Sequence, residues 1–197
     1  MPNVSTSDDR PISRFPVPDE MAMPPDVKQA IDAASAKAGF TPNVFLAYAW
    51  KPEHFRAFFQ YYEALMRGES GLSRSEREMI VVAVSAVNSC TYCTVTHGAA
   101  LRILSKDPYV ADHVSANYRH ADLTPRERAM LDFAVKVTTE SAAIEASDLD
   151  AMRARGFSDS EIWDIGAVAA FFSLSNRMAN LAGMRPNPEF YTMGRSQ

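Results

Sequence analysis

The fold is decided by residues 73–97, whose sequence is SRSEREMIVVAVSAVNSCTYCTVTH. Ser73 and Glu76 have the spacing of a capping box, in which each side chain bonds the other residue's backbone N–H at a helix start. Residues 79–87 are apolar nearly all round, which is typical of a helix buried on every side. Asn88 and Ser89 then favour a break and a new N-cap. The stretch therefore predicts two consecutive helices joined by a very short connection.

Helix signals continue on both sides of this stretch. Further pairs with capping-box spacing, the last of them weaker, are Thr124 with Glu127, Ser158 with Glu161 and Ser147 with Asp150. Glycines placed as helix C-terminal stops are Gly39, Gly68, Gly156 and Gly183. No run alternates with period two for long enough to be a convincing strand. We therefore predict an all-α fold with helices over 24–38, 43–50, 52–67, 73–88, 90–104, 108–118, 124–139, 147–155 and 159–182.

The chain length of 197 residues suits one sizeable domain. We predict a flexible N-terminal arm over 1–11 and a single helical domain over 12–197, with the redox motif in 73–104. Residues 72–80 resemble residues 123–131 at an offset of 51, which suggests an internal repeat whose second half is 123–183. The alternative is that both are ordinary capped helix starts. The second half lacks the chemistry, since Ala129, Ser141, Ile144 and Asp148 replace Glu78, Cys90, Cys93 and His97.

Composition excludes several classes of protein. The formal net charge is -4, which argues against a nucleic-acid binder that works by neutralising phosphates. The apolar runs fall far below the roughly 18 residues of a membrane-spanning helix, and no secretory signal is visible, so we expect a cytoplasmic protein. The two cysteines are too few and too close together for a disulfide-stapled scaffold.

Two predicted helices are unusual in their apolar character. Both 79–87 and 162–174 are apolar nearly all round. A single domain of this size encloses one central helix more easily than two. We therefore expect part of this surface to lie between subunits of a homo-oligomer.

The chemistry is concentrated in Cys90, Cys93 and His97. On a helix, Cys90 and Cys93 are three residues apart and Cys93 and His97 four apart, so the three side chains share one face. Thiols at this spacing are close enough to form a disulfide. With Ser89 or Asn88 as N-cap, Cys90 becomes the first helical residue, where the helix dipole favours a thiolate.

Glu78 is the acidic residue placed to join this group. Along one straight helix it would lie about 18 Å from Cys90, at 1.5 Å per residue. The break at Asn88 and Ser89 lets the chain turn back, so that the carboxylate can orient the imidazole of His97 or pass a proton to it.

The pattern Glu78, Cys90-x-x-Cys93, His97 resembles the signature of the alkylhydroperoxidase D-like branch of the carboxymuconolactone decarboxylase superfamily. The wider sequence resembles its peroxidase-related enzymes over roughly 12–190, in stretches that include 12–16, 39–45, 123–128, 156–162 and 176–177. The resemblance implies an all-helical fold, a homo-oligomer (dimer, trimer or hexamer) and a cysteine-based peroxidase. It implies a hydroperoxide substrate and a dithiol reductant or redox partner protein, and it requires no cofactor or metal.

The same resemblance assigns roles to the site residues. Cys93 would be the peroxidatic cysteine and Cys90 the resolving one, with Glu78 and His97 as the proton relay. The best-characterised family pattern has a histidine where this chain has Tyr92, and a phenol is no base at neutral pH but can donate a hydrogen bond. The helix-end argument favours Cys90 as the better thiolate, in disagreement with the family scheme.

Alternative readings of the motif remain open at this stage. Cys90, Cys93, His97 and Glu78 could bind zinc, although three ligands within two turns of one helix give poor tetrahedral geometry. The protein could be a noncatalytic helical oligomer with a redox switch, or a decarboxylase-like enzyme of the same superfamily. We expect the remaining histidines at the surface; they are His54, His113 and His120. We expect the aromatic cluster of 58–62 in the core or an interface, and Asn176 in a structural role.

Overall fold

The computed structural model describes residues 10–195, and these contain α-helices, short 3-10 turns and no strand. The predicted all-α fold class is confirmed. The helices are α1 (Pro25–Ala38), α2 (Asn43–Ala49), α3 (Pro52–Arg67), α4 (Arg74–Val87), α5 (Thr91–Ser105), α6 (Val110–Asn117), α7 (Pro125–Thr139), α8 (Ala146–Ala154) and α9 (Asp159–Ala182). The 3-10 turns are Glu20–Ala22, Tyr118–His120, Ser141–Ala143 and Pro188–Tyr191.

Local capping explains where the long helices begin. Both reciprocal bonds of the capping box form at α4, α7 and α9, as the sequence predicts. The predicted cap of α8 is wrong by two residues, because Glu145 with Asp148 forms the box in place of Ser147 with Asp150. A carboxylate at the N-cap can accept the same backbone N–H as a serine hydroxyl, so the sequence offers two overlapping pairs that could begin this helix.

Helix α4 is the centre of the domain. It packs against α5, α6, α7 and α9, and its residues 77–85 are buried. Four fully buried aliphatic side chains form its middle: Ile80, Val81, Val82 and Val84. Each contributes about 1.5–3 kcal/mol on burial, which anchors the helix that carries Glu78.

Helix α9 is buried on one side only. Its inner face includes Ile165, Val168 and Phe172, whereas Trp163 and Leu181 remain exposed, with 77% of Trp163 accessible. The chain thus encloses α4 within itself, whereas α9 keeps part of its apolar surface exposed.

The ends of the described chain lie together. The N–H of Arg14 donates to the carbonyl of Ala182 at 2.7 Å, and the N–H of Arg185 donates to the carbonyl of Ile12 at 3.2 Å. The predicted arm, 1–11, lies outside the described residues except for its last two. The segment after α9 therefore closes over the start of the domain, next to the α5 N-terminus.

Candidate active site

The chain reverses direction between α4 and α5 in only three residues. Asn88 ends α4, Ser89 has a left-handed backbone with φ of 52°, and Cys90 is extended. A non-glycine residue in this region costs about 1 kcal/mol or more and is found repeatedly at functional sites. The reversal lays α5 antiparallel on α4 and brings the predicted site residues together.

Cys90 is the N-cap of α5, so the predicted cap at Asn88 or Ser89 is wrong. The Cys90 Sγ accepts the backbone N–H of Cys93 at 3.3 Å, and the first helical residue is Thr91. The sulfur takes the place of the serine oxygen that usually caps a helix, and it accepts a hydrogen bond from one of the free N–H groups at the helix start. The expected stabilisation of a thiolate by the helix terminus acts through this bond.

The two thiols are both buried, and each shifts the pKa of the other. The hydrogen bond from the Cys93 thiol lowers the pKa of Cys90 to about 7, against the opposing effect of burial, and the Cys93 N–H and the Asn176 side chain lower it further. The pKa of Cys93 lies well above its usual range, because its proton is held by Cys90 and because the thiol is buried. Of the two thiols, Cys90 is therefore the first to lose its proton, and Cys93 is still protonated when it does.

Glu78 and His97 form the contact that the sequence predicted. A Glu78 carboxylate oxygen lies 2.7 Å from His97 Nδ1, and their side chains are only 9% and 12% exposed. The edge of Phe172 packs against the imidazole, with ring centroids 4.7 Å apart. With Nδ1 held by the carboxylate, Nε2 is the nitrogen left to exchange a proton with the adjoining cavity.

Helix α9 supplies polar groups to the thiols. Asn176 is completely buried. Its side-chain N–H donates to Ser85 Oγ at 2.9 Å, and its side-chain oxygen accepts a hydrogen bond from the Asn88 side-chain amide at 3.0 Å. Ser175 Oγ lies 3.9 Å from the Cys93 sulfur. These bonds tie the reversal between α4 and α5 to α9.

The expected structural role of Asn176 is therefore only part of its contribution, since its side chain also favours the Cys90 thiolate. Ser175 and Phe172 were not predicted as site residues. A signal was present for Asn176 alone, because a polar amide within an otherwise apolar helix must find buried partners.

Tyr92 lies between the two cysteines in sequence and joins two helices. Its hydroxyl accepts the backbone N–H of Val44 at 3.1 Å, tying α2 to α5. Burial raises the pKa of Tyr92 above its usual range, so it stays protonated. The residue therefore positions the wall of the site.

A cavity of about 400 Å³ opens beside the second cysteine. Cys93, His97 and Glu78 line it, and Cys90 does not. Its walls include the aromatic side chains of Phe58, Phe59, Tyr62 and Phe172, so part of the predicted core cluster also forms the cavity wall. The first thiol that a molecule in this cavity meets is that of Cys93.

The other predicted positions lie outside this site. The three remaining histidines are exposed, as expected: His54, His113 and His120. Within residues 10–195, no three His, Cys, Asp or Glu side chains come together in an arrangement suited to a metal ion. In the same part of the chain, no helix combines the length and apolar character needed to cross a membrane.

Known proteins resemble this chain in sequence and in fold. The family model for the carboxymuconolactone decarboxylase family matches residues 52–116, which contain the whole Glu/Cys/Cys/His motif. A peroxidase-related protein with an alkylhydroperoxidase AhpD core from Ralstonia eutropha JMP134 is 57% identical, with a TM-score of 0.93, over 95% of this chain and 98% of that one. The chain belongs to the alkylhydroperoxidase D-like group of the carboxymuconolactone decarboxylase superfamily.

Other solved structures share the fold of this family member. A peroxidase-related protein from Silicibacter sp. TM1040 is 42% identical, with a TM-score of 0.90, over 97% of this chain and 100% of that one. The debrominase Bmp8 has the same fold at 17% identity and a TM-score of 0.74, over 93% of this chain and 95% of that one. No curated protein matches the chain. Membership of this superfamily supports a peroxidase-related or related enzymatic function.

Proposed function

We propose that the protein is a thiol-dependent peroxidase that reduces organic hydroperoxides through Cys93 and Cys90. The observation that carries the proposal is the pair of free, buried cysteines one helical turn from the buried Glu78–His97 pair. This combination provides a nucleophile, a second thiol within disulfide range and a proton donor. Only Cys93 of the two thiols lines the cavity, which supports its assignment as the attacking sulfur.

In the proposed reaction, the Cys93 proton first moves to the Cys90 thiolate. The Cys93 thiolate then attacks the terminal oxygen of the hydroperoxide; the new S–O bond gives a sulfenic acid as the O–O bond breaks. His97 donates a proton to the leaving oxygen, which departs as the alcohol. Glu78 holds the imidazole in place and stabilises its protonated form.

The second half of the proposed reaction forms and reduces a disulfide. The Cys90 sulfur attacks the Cys93 sulfenic acid; the S–O bond breaks, and the hydroxyl leaves as water with the Cys90 proton. A dithiol donor reduces the disulfide by thiol–disulfide exchange and is itself oxidised to a disulfide. The sum is one hydroperoxide and one external dithiol converted to alcohol, water and one external disulfide.

Peroxide consumption with a dithiol reductant tests this proposal. We expect the wild type to consume cumene hydroperoxide well above the background of free dithiol, and Cys93→Ser to fall to that background. Tyr61→Phe is a suitable control, because this half-exposed aromatic residue does not line the cavity. A wild type that forms the disulfide without consuming peroxide above background would identify a redox switch and refute the peroxidase.

We also propose that the protein is a homo-oligomer. Trp163, Leu174 and Leu181 are exposed on one face of α9, at spacings of eleven and seven residues that bring them into line. Exposed apolar rows of this kind favour association. Light scattering should report a stable oligomer at micromolar concentration, and a stable monomer would contradict the assignment.

A further inference from the structure

The cavity beside Cys93 is far larger than hydrogen peroxide requires. Its volume is about 400 Å³, whereas a water-sized molecule occupies roughly 30 Å³ of liquid. Besides the aromatic side chains named above, aliphatic ones line it, among them Met66, Ile103 and Leu104. The dimensions and the lining suit a hydroperoxide carried on a sizeable apolar group.

The cavity is elongated along α5. Cys93, His97, Ala100 and Leu104 lie on one face of that helix, and all four line the cavity. Eleven residues from Cys93 to Leu104 correspond to about 16 Å of helix. A substrate placed against Cys93 can therefore extend along this face of α5.

The rim of this cavity is basic, although the chain as a whole carries a net charge of -4. Three exposed cations line it, Lys37, Arg67 and Arg74, against one exposed carboxylate, Glu63. Arg67 is neutralised by Glu63 at 2.7 Å. Within residues 10–195, no carboxylate forms an ion pair with Lys37 or Arg74.

The position of Arg74 relative to the thiols follows from the helix hairpin. Arg74 precedes Glu78 by one turn of α4, and His97 follows Cys93 by one turn of α5. The two helices are antiparallel, and Glu78 contacts His97. The four residues from Arg74 to Glu78 and the four from His97 to Cys93 therefore run in the same direction along the hairpin, and their lengths add. At 1.5 Å per residue, the Arg74 backbone lies roughly 12 Å from Cys93 along the hairpin.

We propose that the cavity binds an amphipathic hydroperoxide with an anionic head group, held at the rim by Arg74 and Lys37. The proposal rests on the peroxidase function above and adds the substrate class. Eight carbon–carbon bonds of about 1.5 Å in a zigzag span roughly 10 Å. A fatty-acid hydroperoxide with eight such bonds between carboxylate and peroxide carbon places its carboxylate beside Arg74 when its peroxide faces Cys93. The carboxylate is unchanged by the reaction.

The probes are 9-hydroperoxyoctadecadienoate, which has this spacing, and its methyl ester, which lacks the charge. We expect kcat/KM for the acid to exceed that for the ester by about tenfold at low salt, since each of two exposed cations contributes a modest ion-pair energy. The ratio should shrink as salt is added. It should fall about threefold in Arg74→Gln and approach one in the Lys37→Gln, Arg74→Gln double variant.

Arg155→Gln is the matched control, because Arg155 is exposed and does not line the cavity. It should retain the wild-type ratio. An acid-to-ester ratio of one in the wild type, or a ratio unchanged in the double variant, would overturn the head-group site. Turnover of uncharged cumene hydroperoxide by the wild type reports separately on the peroxidase function.

Calorimetry keeps the two proposals distinguishable even if no peroxide is turned over. The probe is the reduced product, 9-hydroxyoctadecadienoate, titrated into the wild type and the double variant alongside its methyl ester. Tighter binding of the acid to the wild type only would support the site. Equal affinities across both ligands and both proteins would refute it.

Discussion

Replacing the buried carboxylate at position 78 by its amide isolates the contribution of charge to the site. In the wild type, His97 Nδ1 lies 2.7 Å from the Glu78 carboxylate. Glu78→Gln keeps an oxygen that can accept a hydrogen bond from this nitrogen. A hydrogen bond that involves a charged group contributes about 1.5–3 kcal/mol, and a neutral one about 0.5–1.5 kcal/mol. The variant therefore loses about 1–2 kcal/mol of support for a protonated imidazole, which corresponds to a roughly 5- to 30-fold lower rate of peroxide reduction.

The rate is measured by stopped-flow kinetics with cumene hydroperoxide, and thermal unfolding reports the integrity of the fold. Glu161→Gln is a matched control, because Glu161 is also largely buried and ion-paired, to Arg126 at 2.7 Å, and it lies outside the cavity. The control should lose stability and keep a rate within about twofold of wild type. A Glu78→Gln rate within about twofold of wild type, with the fold intact, would refute the role of the carboxylate.

Three further outcomes follow from particular contacts. The buried Arg77 guanidinium donates to the carbonyls of Leu65, Gly68 and Leu72, so Arg77→Met should lower the free energy of unfolding by about 3 kcal/mol in denaturant titration. The ultraviolet absorbance of one thiolate should appear with a midpoint near pH 7, since the pKa of Cys90 is lowered to about 7, and should be lost below it as the thiolate takes up a proton. Tyr92→Phe should cost about 1 kcal/mol in stability, through the lost bond to Val44, and leave that midpoint in place.

Each of these outcomes has its contradiction. Arg155→Met should change stability by less than about 0.5 kcal/mol, and an equal change in Arg77→Met would remove the assigned role. A thiolate midpoint near pH 7 that persists in Cys90→Ser would show that the thiolate belongs to Cys93 and not to Cys90. A shift of the midpoint in Tyr92→Phe would mean that the phenol acts on the thiols after all.

The sequence was most informative where the deciding contacts are local. The pairs Ser73 with Glu76 and Thr124 with Glu127 place helix starts correctly, because both partners of a capping box lie within one turn. Likewise, the spacing of Cys93 and His97 needs only a helix. The approach of Glu78 to His97 required one more inference, the break between the two helices, and the residues at the break indicated it.

Contacts from distant parts of the chain lay beyond the sequence. Cys90 takes the N-cap position that the sequence predicts for Asn88 or Ser89, since Asn176 of α9 bonds Asn88 and fixes the reversal from 88 residues away. The left-handed backbone of Ser89 belongs to the same tertiary arrangement. The cavity wall provided by Phe172 was also hidden, because an aromatic residue in a buried helix has the same sequence pattern whether it fills a core or borders a pocket.

Trapping the sulfenic acid tests the central claim most directly. Cys90→Ser and Cys93→Ser are each treated with one equivalent of cumene hydroperoxide and a sulfenic-acid-specific trapping reagent, and the adduct is located by mass spectrometry. We expect an adduct on Cys93 in Cys90→Ser and none in Cys93→Ser. An adduct on Cys90 in Cys93→Ser, with none on Cys93 in the other variant, would contradict it.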